Sequence, residues 1–224
     1  MKKAPFFAIL FCIGILSCSK NETPTPPTAA LVYMNSKPGS LWNYEVVNNT
    51  PPPSTSLYGL TSTSKDTAIG SKSYHVYTNT ATRGSEYYHI SGSDYYSFQS
   101  LPAALGGSKV ENLYLKAGAT VGSTWSQPYN ISFNSVPLTV TVVNKIEGKG
   151  ISRTVNGVSY NNVIHVSTSI SVAGVPPNAL VTDIDYYYAP NFGLIENSSK
   201  INFSYVGIVN NSDFATRLKT ATLL

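Results

Sequence analysis

Three histidines and one pair of aspartates are the side chains of this 224-residue sequence that could carry acid–base or metal chemistry. The histidines, His75, His89 and His165, are far apart, and no HxH or HExxH motif joins any two of them. Asp183 and Asp185 are two positions apart in a strand-like segment, so both side chains should lie on one face. Paired carboxylates can serve as general acid and base or bind a cation. We nevertheless expect a solvated face for the aspartates and a packed strand position for each histidine.

The motifs of the common catalytic and nucleotide-binding sites are missing. The sequence contains no serine nucleophile elbow, no phosphate-binding loop and no dinucleotide fingerprint. We therefore predict a protein that is not an enzyme, with no catalytic residue, no metal site and no cofactor. A hydrolase that uses Asp183, Asp185 and a histidine such as His165 is the least favoured alternative.

Tyrosine is the residue whose abundance suggests binding, since the chain contains 16 of them. Many fall in short runs within strand-like segments, and neighbours in a strand point to opposite faces of the sheet. One face should form the core, while the other could stack on a sugar or close over an apolar ligand. The plainer interpretation is that tyrosine suits a half-buried sheet surface. The predicted ligand-binding residues are Tyr87, Tyr95, Tyr187, His165, Asp183 and Asp185.

The first residues have the layout of an export signal. Lys2 and Lys3 precede an apolar run from Ala4 to Leu16. This run is shorter than the roughly 20 residues that a transmembrane helix needs. A cleaved signal peptide is therefore the better interpretation.

The end of the apolar run, Leu16-Ser17-Cys18, resembles the lipobox of bacterial lipoproteins. In that family the cysteine receives a diacylglycerol, the signal is removed before it, and the new amino terminus is acylated, for example with palmitate. The resemblance implies a chain anchored to a membrane through Cys18, with about 0.8 kcal/mol of affinity per buried CH₂. The alternative is an ordinary signal with a chance cysteine. Because Cys12 leaves with the signal, no disulfide is expected in the mature chain.

Residues 18–33 have the composition of a tether. The Pro/Thr stretch from Thr23 to Thr28 has too few apolar residues to build a core and should be extended. The preceding Ser19–Glu22 resembles the charged signal that sends Bacteroidetes-type lipoproteins to the cell surface. We expect a protein held in the cell envelope, at the outer membrane, on its periplasmic or its surface face. The predicted division is a signal peptide at 1–17, the tether at 18–33 and a single β domain at 34–224.

The charge of the chain argues against a nucleic-acid partner. Once the two signal-peptide lysines are removed, 13 basic and 11 acidic residues remain. Nucleic-acid binding calls for a dense basic stripe. The expected partners are therefore the membrane, a small ligand or another envelope protein.

Strand-like patterns fill most of residues 41–209. The clearest runs from Leu138 to Glu147, where apolar and polar residues alternate. Asn156-Gly157 between two such patterns predicts a type I′ hairpin, and Gly92-Ser93 predicts another turn. We predict an all-β, mainly antiparallel fold with little helix, either a large curved sheet or a half-open barrel. Because the hairpins join sequence neighbours, an up-and-down meander is favoured.

Four further segments have predictions of their own. Val46–Leu57 is expected to be a loop, and Leu101–Leu105 is expected to form one helical turn. A strand is expected over Ile201–Val209. Residues 216–223 fit either a last strand or a short helix.

Four local patterns resemble the small lipoproteins of Bacteroidetes-type bacteria: Pro38–Tyr44, Val110–Lys116, Val121–Trp125 and Tyr187–Ile195. The last resembles the YYA-x-x-x-GL turn of lipoproteins with a curved antiparallel sheet, and Gly193 within it should take a positive φ. These proteins are similar in shape to the lipoprotein-carrier (LolA/LolB-like) half-barrel. The resemblance implies this fold and no activity, because one fold serves many functions.

The sequence leaves three hypotheses about function. The first is a non-catalytic envelope lipoprotein whose curved sheet binds a small apolar or glycan ligand. The second is a structural or interaction module that meets another envelope protein through a sheet edge or an aromatic patch. The third is the hydrolase.

Separately, Asp66-Thr67-Ala68 matches the acidic-Thr-small motif that Bacteroidetes-type envelope proteins O-glycosylate, which makes Thr67 a candidate modification site.

Overall fold

A computed structural model describes residues 30–100, 109–133 and 136–224. Residues 31–224 form one compact unit, to which all the strands below belong. Cys18, the signal peptide and most of the tether lie outside the described residues, as does the helical turn expected at Leu101–Leu105. No helix in the described part of the chain is long and apolar enough to cross a membrane.

Twelve strands form a single antiparallel sheet. They are β1 (Leu41–Asn48), β2 (Ser54–Ile69), β3 (Lys72–Asn79), β4 (Gly84–Ser91), β5 (Asp94–Ser100), β6 (Lys109–Lys116), β7 (Thr124–Phe133), β8 (Val136–Val155), β9 (Val158–Val172), β10 (Leu180–Ala189), β11 (Gly193–Tyr205) and β12 (Ile208–Thr222). A 3₁₀ turn at Pro177–Ala179 is the only helical element among the described residues.

The order of strands is that of a meander. It reads β6-β5-β4-β3-β2-β1-β12-β11-β10-β9-β8-β7. Every neighbouring pair except β1–β12 is consecutive in the sequence. The last strand returns to the first, with Leu41 opposite Thr222 and Asn48 opposite Phe214. The all-β, antiparallel fold and its up-and-down order are therefore confirmed.

The two end strands of this order, β6 and β7, are joined by side chains. Trp125 Nε1 donates a hydrogen bond of 2.7 Å to the Leu113 carbonyl, and the Leu113 amide donates one of 2.7 Å to Gln127 Oε1. Tyr129 adds a longer bond of 3.3 Å to the Glu111 carbonyl. We call this junction the seam. Because the seam satisfies edge groups that a ladder would otherwise pair, the sheet is nearly closed and barrel-like.

The hairpin between β8 and β9 follows the sequence prediction. Asn156 and Gly157 have φ values of 48° and 81°, and a type I′ turn requires positive φ at both positions. Asn156 Nδ2 also donates to the Leu218 carbonyl at 2.9 Å, which ties the turn to β12. The alternating pattern of Leu138–Glu147 lies within β8.

The structure corrects two element predictions and decides a third. β2 begins at Ser54, inside the loop expected at Val46–Leu57, because pairing with β1 outweighs the weak local strand preference. The strand expected over Ile201–Val209 is interrupted at Val206-Gly207, which turn the chain with φ values of 48° and 76°. Residues 216–222 belong to β12, so the helical alternative for 216–223 is excluded.

A segment without regular secondary structure at residues 32–36, here called the strap, packs against several strands before β1 begins. The Tyr33 amide donates to the Tyr95 hydroxyl at 2.9 Å, and the Tyr33 hydroxyl donates to the Asn162 carbonyl at 2.8 Å. Gly193 has the predicted positive φ, 71°, and a Cβ there would lie 3.1 Å from Met34 Sδ. The strap therefore fits against a position where a side chain would be both strained and crowded.

Candidate functional site

The inner face of the sheet borders a partly open cavity of about 270 Å³, close to the lower end of the usual range for small-ligand sites. Five strands contribute tyrosines to its walls: Tyr44, Tyr58, Tyr88, Tyr114, Tyr186 and Tyr188. We call this space the tyrosine cavity. Apolar side chains complete the walls, among them Met34 of the strap and Leu60, Val142 and Leu194.

The tyrosine rings pack against one another. The rings of Tyr44 and Tyr58 are stacked, with centroids 5.0 Å apart. The Tyr114 ring lies 5.5 Å from that of Tyr188 and 6.0 Å from that of Tyr88, the latter edge to face. These are favoured aromatic pair geometries. The wall is therefore held in place by its own contacts and does not need a ligand to order it.

The phenol groups of this wall stay neutral at physiological pH. Burial first, and then nearby charges, raises the pKa of Tyr44, Tyr88, Tyr114 and Tyr188 well above the ordinary value near 10. Tyr44 donates to a backbone carbonyl at 2.9 Å, and Tyr88 donates to Glu86 Oε2 at 2.6 Å. The other four cavity hydroxyls have no hydrogen-bond partner in the described part of the chain. Each can donate to a bound molecule or accept from it.

Glu86 is the one ionisable acid in the cavity wall as described. Its carboxylate accepts hydrogen bonds from the Tyr88 hydroxyl and from Asn79 Nδ2. Burial, followed by the charge of Glu86, raises the pKa of Tyr58, which places the carboxylate near that ring as well. Within residues 30–100, 109–133 and 136–224, no lysine, arginine or histidine forms an ion pair with Glu86.

Asn144 leaves a buried donor open at the cavity. The residue is 4% exposed, and its Oδ1 accepts a 2.6 Å hydrogen bond from the Thr168 hydroxyl. Its Nδ2 has no partner among the described residues. An unsatisfied buried donor costs about 1–3 kcal/mol, and such groups are rare in native proteins. Asn144 is therefore suited to donate to a molecule inside the cavity.

The predicted ligand-binding residues of β10 lie on the face of the sheet that is turned away from the tyrosine cavity. Because Tyr186 and Tyr188 line the cavity, Asp185 and Tyr187 lie on the outer face of the sheet. His165 Nε2 is 2.6 Å from Asp185 Oδ1, and the imidazole stacks on the Tyr187 ring with centroids 4.4 Å apart. The structure thus brings three predicted residues together outside the cavity. Their role in ligand binding stays a prediction.

The contacts of this outer cluster continue into a pair of arginines. The Arg153 guanidinium lies 4.0 Å from the Tyr187 ring centroid and 2.6 Å from the Glu196 carboxylate. Glu196, 9% exposed, also binds Arg217 at 3.1 Å. We call the set the outer ladder; its members are Asp185, His165, Tyr187, Arg153, Glu196 and Arg217. Every charge in it has an opposite charge or a ring beside it.

The remaining predicted residues are dispersed. Asp183 is exposed on the outer face, where it borders a surface depression with Asp185. Tyr95 is 2% exposed and bonded to the strap, while Tyr87 is half-buried on β4 opposite Val76. None of these three lines the tyrosine cavity. Thr67 is half-buried on β2, and its glycosylation stays a prediction.

A second histidine–aspartate pair has a serine at its other ring nitrogen. His75 Nδ1 lies 2.7 Å from Asp66 Oδ1, and His75 Nε2 lies 2.9 Å from Ser62 Oγ. A bulge in β2 between Ser62 and Asp66 brings both side chains to His75 of β3. This is the connectivity of a serine-hydrolase triad. Ser62 is only 2% exposed, however, and the adjoining depression is lined by Asp66 and His75 but not by the serine.

The histidines do not converge on one site. Each bonds a different partner, and the Nδ1 of His89 lies 2.8 Å from the Ser73 carbonyl. In the part of the chain that is described, no group of three His, Cys, Asp or Glu residues could hold a metal ion. The expectation of a protein without a metal or cofactor stays a prediction.

One solved structure shares this fold at low sequence identity, and a second shows a weaker likeness. A "putative lipoprotein" from Parabacteroides distasonis ATCC 8503 matches with a TM-score of 0.50 and 10% identity, over 87% of this chain and 100% of that one. A "putative exported protein with YmcC-like fold" from Bacteroides fragilis NCTC 9343 matches with a TM-score of 0.48 and 9% identity, over 86% and 100%. No family model and no curated protein matches the chain. The first likeness supports the fold alone, and neither tests the similarity to the lipoprotein-carrier half-barrel.

Proposed function

We propose that this protein is an exported, non-catalytic lipoprotein, anchored in the cell envelope through Cys18, whose sheet holds a small ligand in the tyrosine cavity. The observation that carries the proposal is the open donor of Asn144, which has no partner among the described residues. Buried polar groups are almost always satisfied, so a bound acceptor would complete this one. The uncompensated carboxylate of Glu86 and the preordered aromatic wall give the ligand two further contacts.

The ligand proposal can be tested by native mass spectrometry of the full lipidated chain, released from the envelope in mild detergent. We expect one added mass per chain, lost on denaturation. Ser97→Trp places an indole in the cavity wall and should remove that mass. Ser126→Trp, on an exposed position of β7, should keep it. A wild-type chain without added mass, or a Ser97→Trp chain that retains it, contradicts the proposal.

The anchor is supported by the lipobox-like Leu16-Ser17-Cys18 after a short apolar run. Metabolic labelling with an alkyne fatty acid tests it, because the label should be lost in Cys18→Ser. Cys12→Ser is the matched control and should keep the label, since that cysteine would leave with the signal. Label retained by Cys18→Ser would show that the chain is not lipidated at this residue.

A second candidate function is a serine hydrolase centred on Ser62. His75 would act as the general base, and Asp66 would hold its imidazole in the required tautomer. The pair of His165 with Asp185 is a weaker basis, because no serine of the described residues bonds the other nitrogen of that imidazole. The burial of Ser62 ranks this candidate below ligand binding, since a substrate must reach the nucleophile.

A fluorophosphonate probe decides the hydrolase candidate. Labelling of the wild-type chain that is lost in Ser62→Ala and kept in Ser64→Ala would establish a reactive Ser62. No labelling of the wild type would remove the candidate. The interaction-module hypothesis stays a prediction and would be tested by cross-linking in the envelope.

A further inference from the structure

The tyrosine cavity contains a negative charge that the protein does not balance. Glu86 lines the cavity, and the described lining contains no lysine, arginine or histidine. Glu86 is half-buried, and a carboxylate that is partly shielded from water is more stable when an opposite charge lies beside it. The two neutral donors that reach it, from Tyr88 and Asn79, leave its charge uncompensated. A ligand with a positive charge would complete the site.

The walls fit the same kind of ligand. A cation within about 6 Å of a tyrosine ring centroid is attracted to the negative face of the ring. The cavity offers six such rings, and the stacked pair of Tyr44 and Tyr58 adjoins Glu86. The chemistry of the lining argues against a bare divalent ion, which prefers several carboxylate or carbonyl oxygens. No cluster of three metal-ligating side chains exists in the described residues.

Asn144 adds a requirement at another part of the ligand. The free Nδ2 is a donor, so the group that it meets must be a hydrogen-bond acceptor such as a hydroxyl, ether or carbonyl oxygen. Neutral phenols supply additional donors. A ligand that carries both a cationic nitrogen and an oxygen acceptor would therefore pair with the Glu86 carboxylate and with the free Nδ2 of Asn144.

We propose that the tyrosine cavity binds a small organic cation, with an alkylammonium group seated among the tyrosine rings against Glu86 and an oxygen acceptor bonded to Asn144. This inference rests on the proposed ligand-binding function and specifies the class of ligand. It distinguishes a cation from the neutral glycan or purely apolar molecule that the same space could also hold.

Isothermal titration calorimetry on the full mature chain can test the ligand class with two probes of nearly equal shape. Choline carries a trimethylammonium group and a hydroxyl, and 3,3-dimethylbutan-1-ol is its neutral isostere. We expect choline to bind at least tenfold more tightly than the isostere. Glu86→Gln should abolish that difference, whereas Glu147→Gln, an exposed carboxylate on β8, should preserve it. An unchanged thermal midpoint would show that Glu86→Gln is folded.

Each other outcome has a definite meaning. Equal binding of the two probes overturns the cation inference and leaves the ligand-binding function standing. Preference for choline that survives Glu86→Gln overturns the assigned role of this carboxylate. Failure of both probes, with an added mass still present in native spectra, overturns the inference in favour of another ligand class. Failure of both probes with no added mass removes the proposed function as well.

Discussion

The two faces of β10 carry similar residues in opposite states. On the outer face, Asp185 and Tyr187 belong to the outer ladder, where His165, Arg153 and their neighbours satisfy one another. On the inner face, Tyr186 and Tyr188 border a cavity in which Glu86 lacks a cation and Asn144 lacks an acceptor. Both faces combine tyrosines with charged or amide groups. They differ in whether those groups find their hydrogen-bond or ionic partners within the protein.

This difference separates structural clusters from binding sites. A satisfied cluster such as the outer ladder lowers the free energy of the folded state without any ligand. An incomplete cluster costs folding free energy, so its persistence points to a partner that completes it. Neither a shifted pKa nor a high content of aromatic residues would by itself have distinguished the two faces.

The largest expected effect separates two glutamates, the buried Glu196 and the half-buried Glu86. Glu196→Gln should lower the free energy of unfolding by about 2 kcal/mol, because it leaves two arginines without their carboxylate. The loss is below that of a fully buried pair because Arg153 and Arg217 are 38% and 39% exposed. Glu86→Gln breaks no ion pair and should change that free energy by less than about 0.5 kcal/mol. Urea denaturation measures both, and equal losses would contradict the distinction.

The next effect concerns two tryptophans that differ in whether the indole N–H has a hydrogen-bond acceptor. Trp125 Nε1 is bonded across the seam, whereas Trp42 Nε1 has no partner among the described residues. Trp125→Phe should cost about 1 kcal/mol for the lost bond and speed hydrogen exchange at the Leu113 amide. Trp42→Phe should leave exchange in β6 unchanged. Slow exchange at Leu113 in both variants would mean that the tryptophan bond does not hold the seam.

A smaller change should stabilise the protein while removing its binding. The double variant Asn144→Leu with Thr168→Val replaces a bonded pair and its open donor by apolar groups of similar shape. We expect a gain of up to about 1 kcal/mol in the free energy of unfolding, together with loss of the added mass in native spectra. A destabilised double variant would indicate that the Asn144 donor is already satisfied inside the protein.

The smallest effect appears only at high pH. Burial raises the pKa of Tyr44, Tyr88, Tyr114 and Tyr188, so these phenols favour the neutral form in the folded chain. Their contribution to stability is complete below about pH 10 and declines above it, where unfolded tyrosines ionise. Absorbance at alkaline pH should show these tyrosines still neutral at about pH 11, one unit above the ordinary value. Ionisation of all 16 tyrosines by that pH would contradict the burial of these four phenols.

Local patterns in the sequence predicted the strands well. The alternation of Leu138–Glu147 and the Asn156-Gly157 turn are short-range signals, and both are present in the β8–β9 hairpin. Alternation in β10 also places Tyr186 and Tyr188 on the core side. β2 was missed because its pairing with β1 depends on tertiary context rather than on a local pattern in its own residues.

The cavity was beyond the reach of local patterns. Glu86, Asn144 and the tyrosines meet only because β12 returns to β1 and the seam nearly closes the sheet. One signal did exist in the sequence. Asn144 occupies a position on the apolar face of β8, between Val142 and Ile146, where the alternating pattern predicts an apolar residue. The triad-like contact of Ser62 likewise depends on a bulge in β2 that no local sequence pattern predicts.

The most direct test of the central claim is a high-resolution crystal structure of the mature chain, purified without any step that strips bound molecules. The account predicts density for an organic molecule in the tyrosine cavity, with an acceptor within hydrogen-bond distance of Asn144 Nδ2 and a neighbouring group against Glu86. A cavity that contains only ordered water, with one water bonded to Asn144 Nδ2, would contradict it.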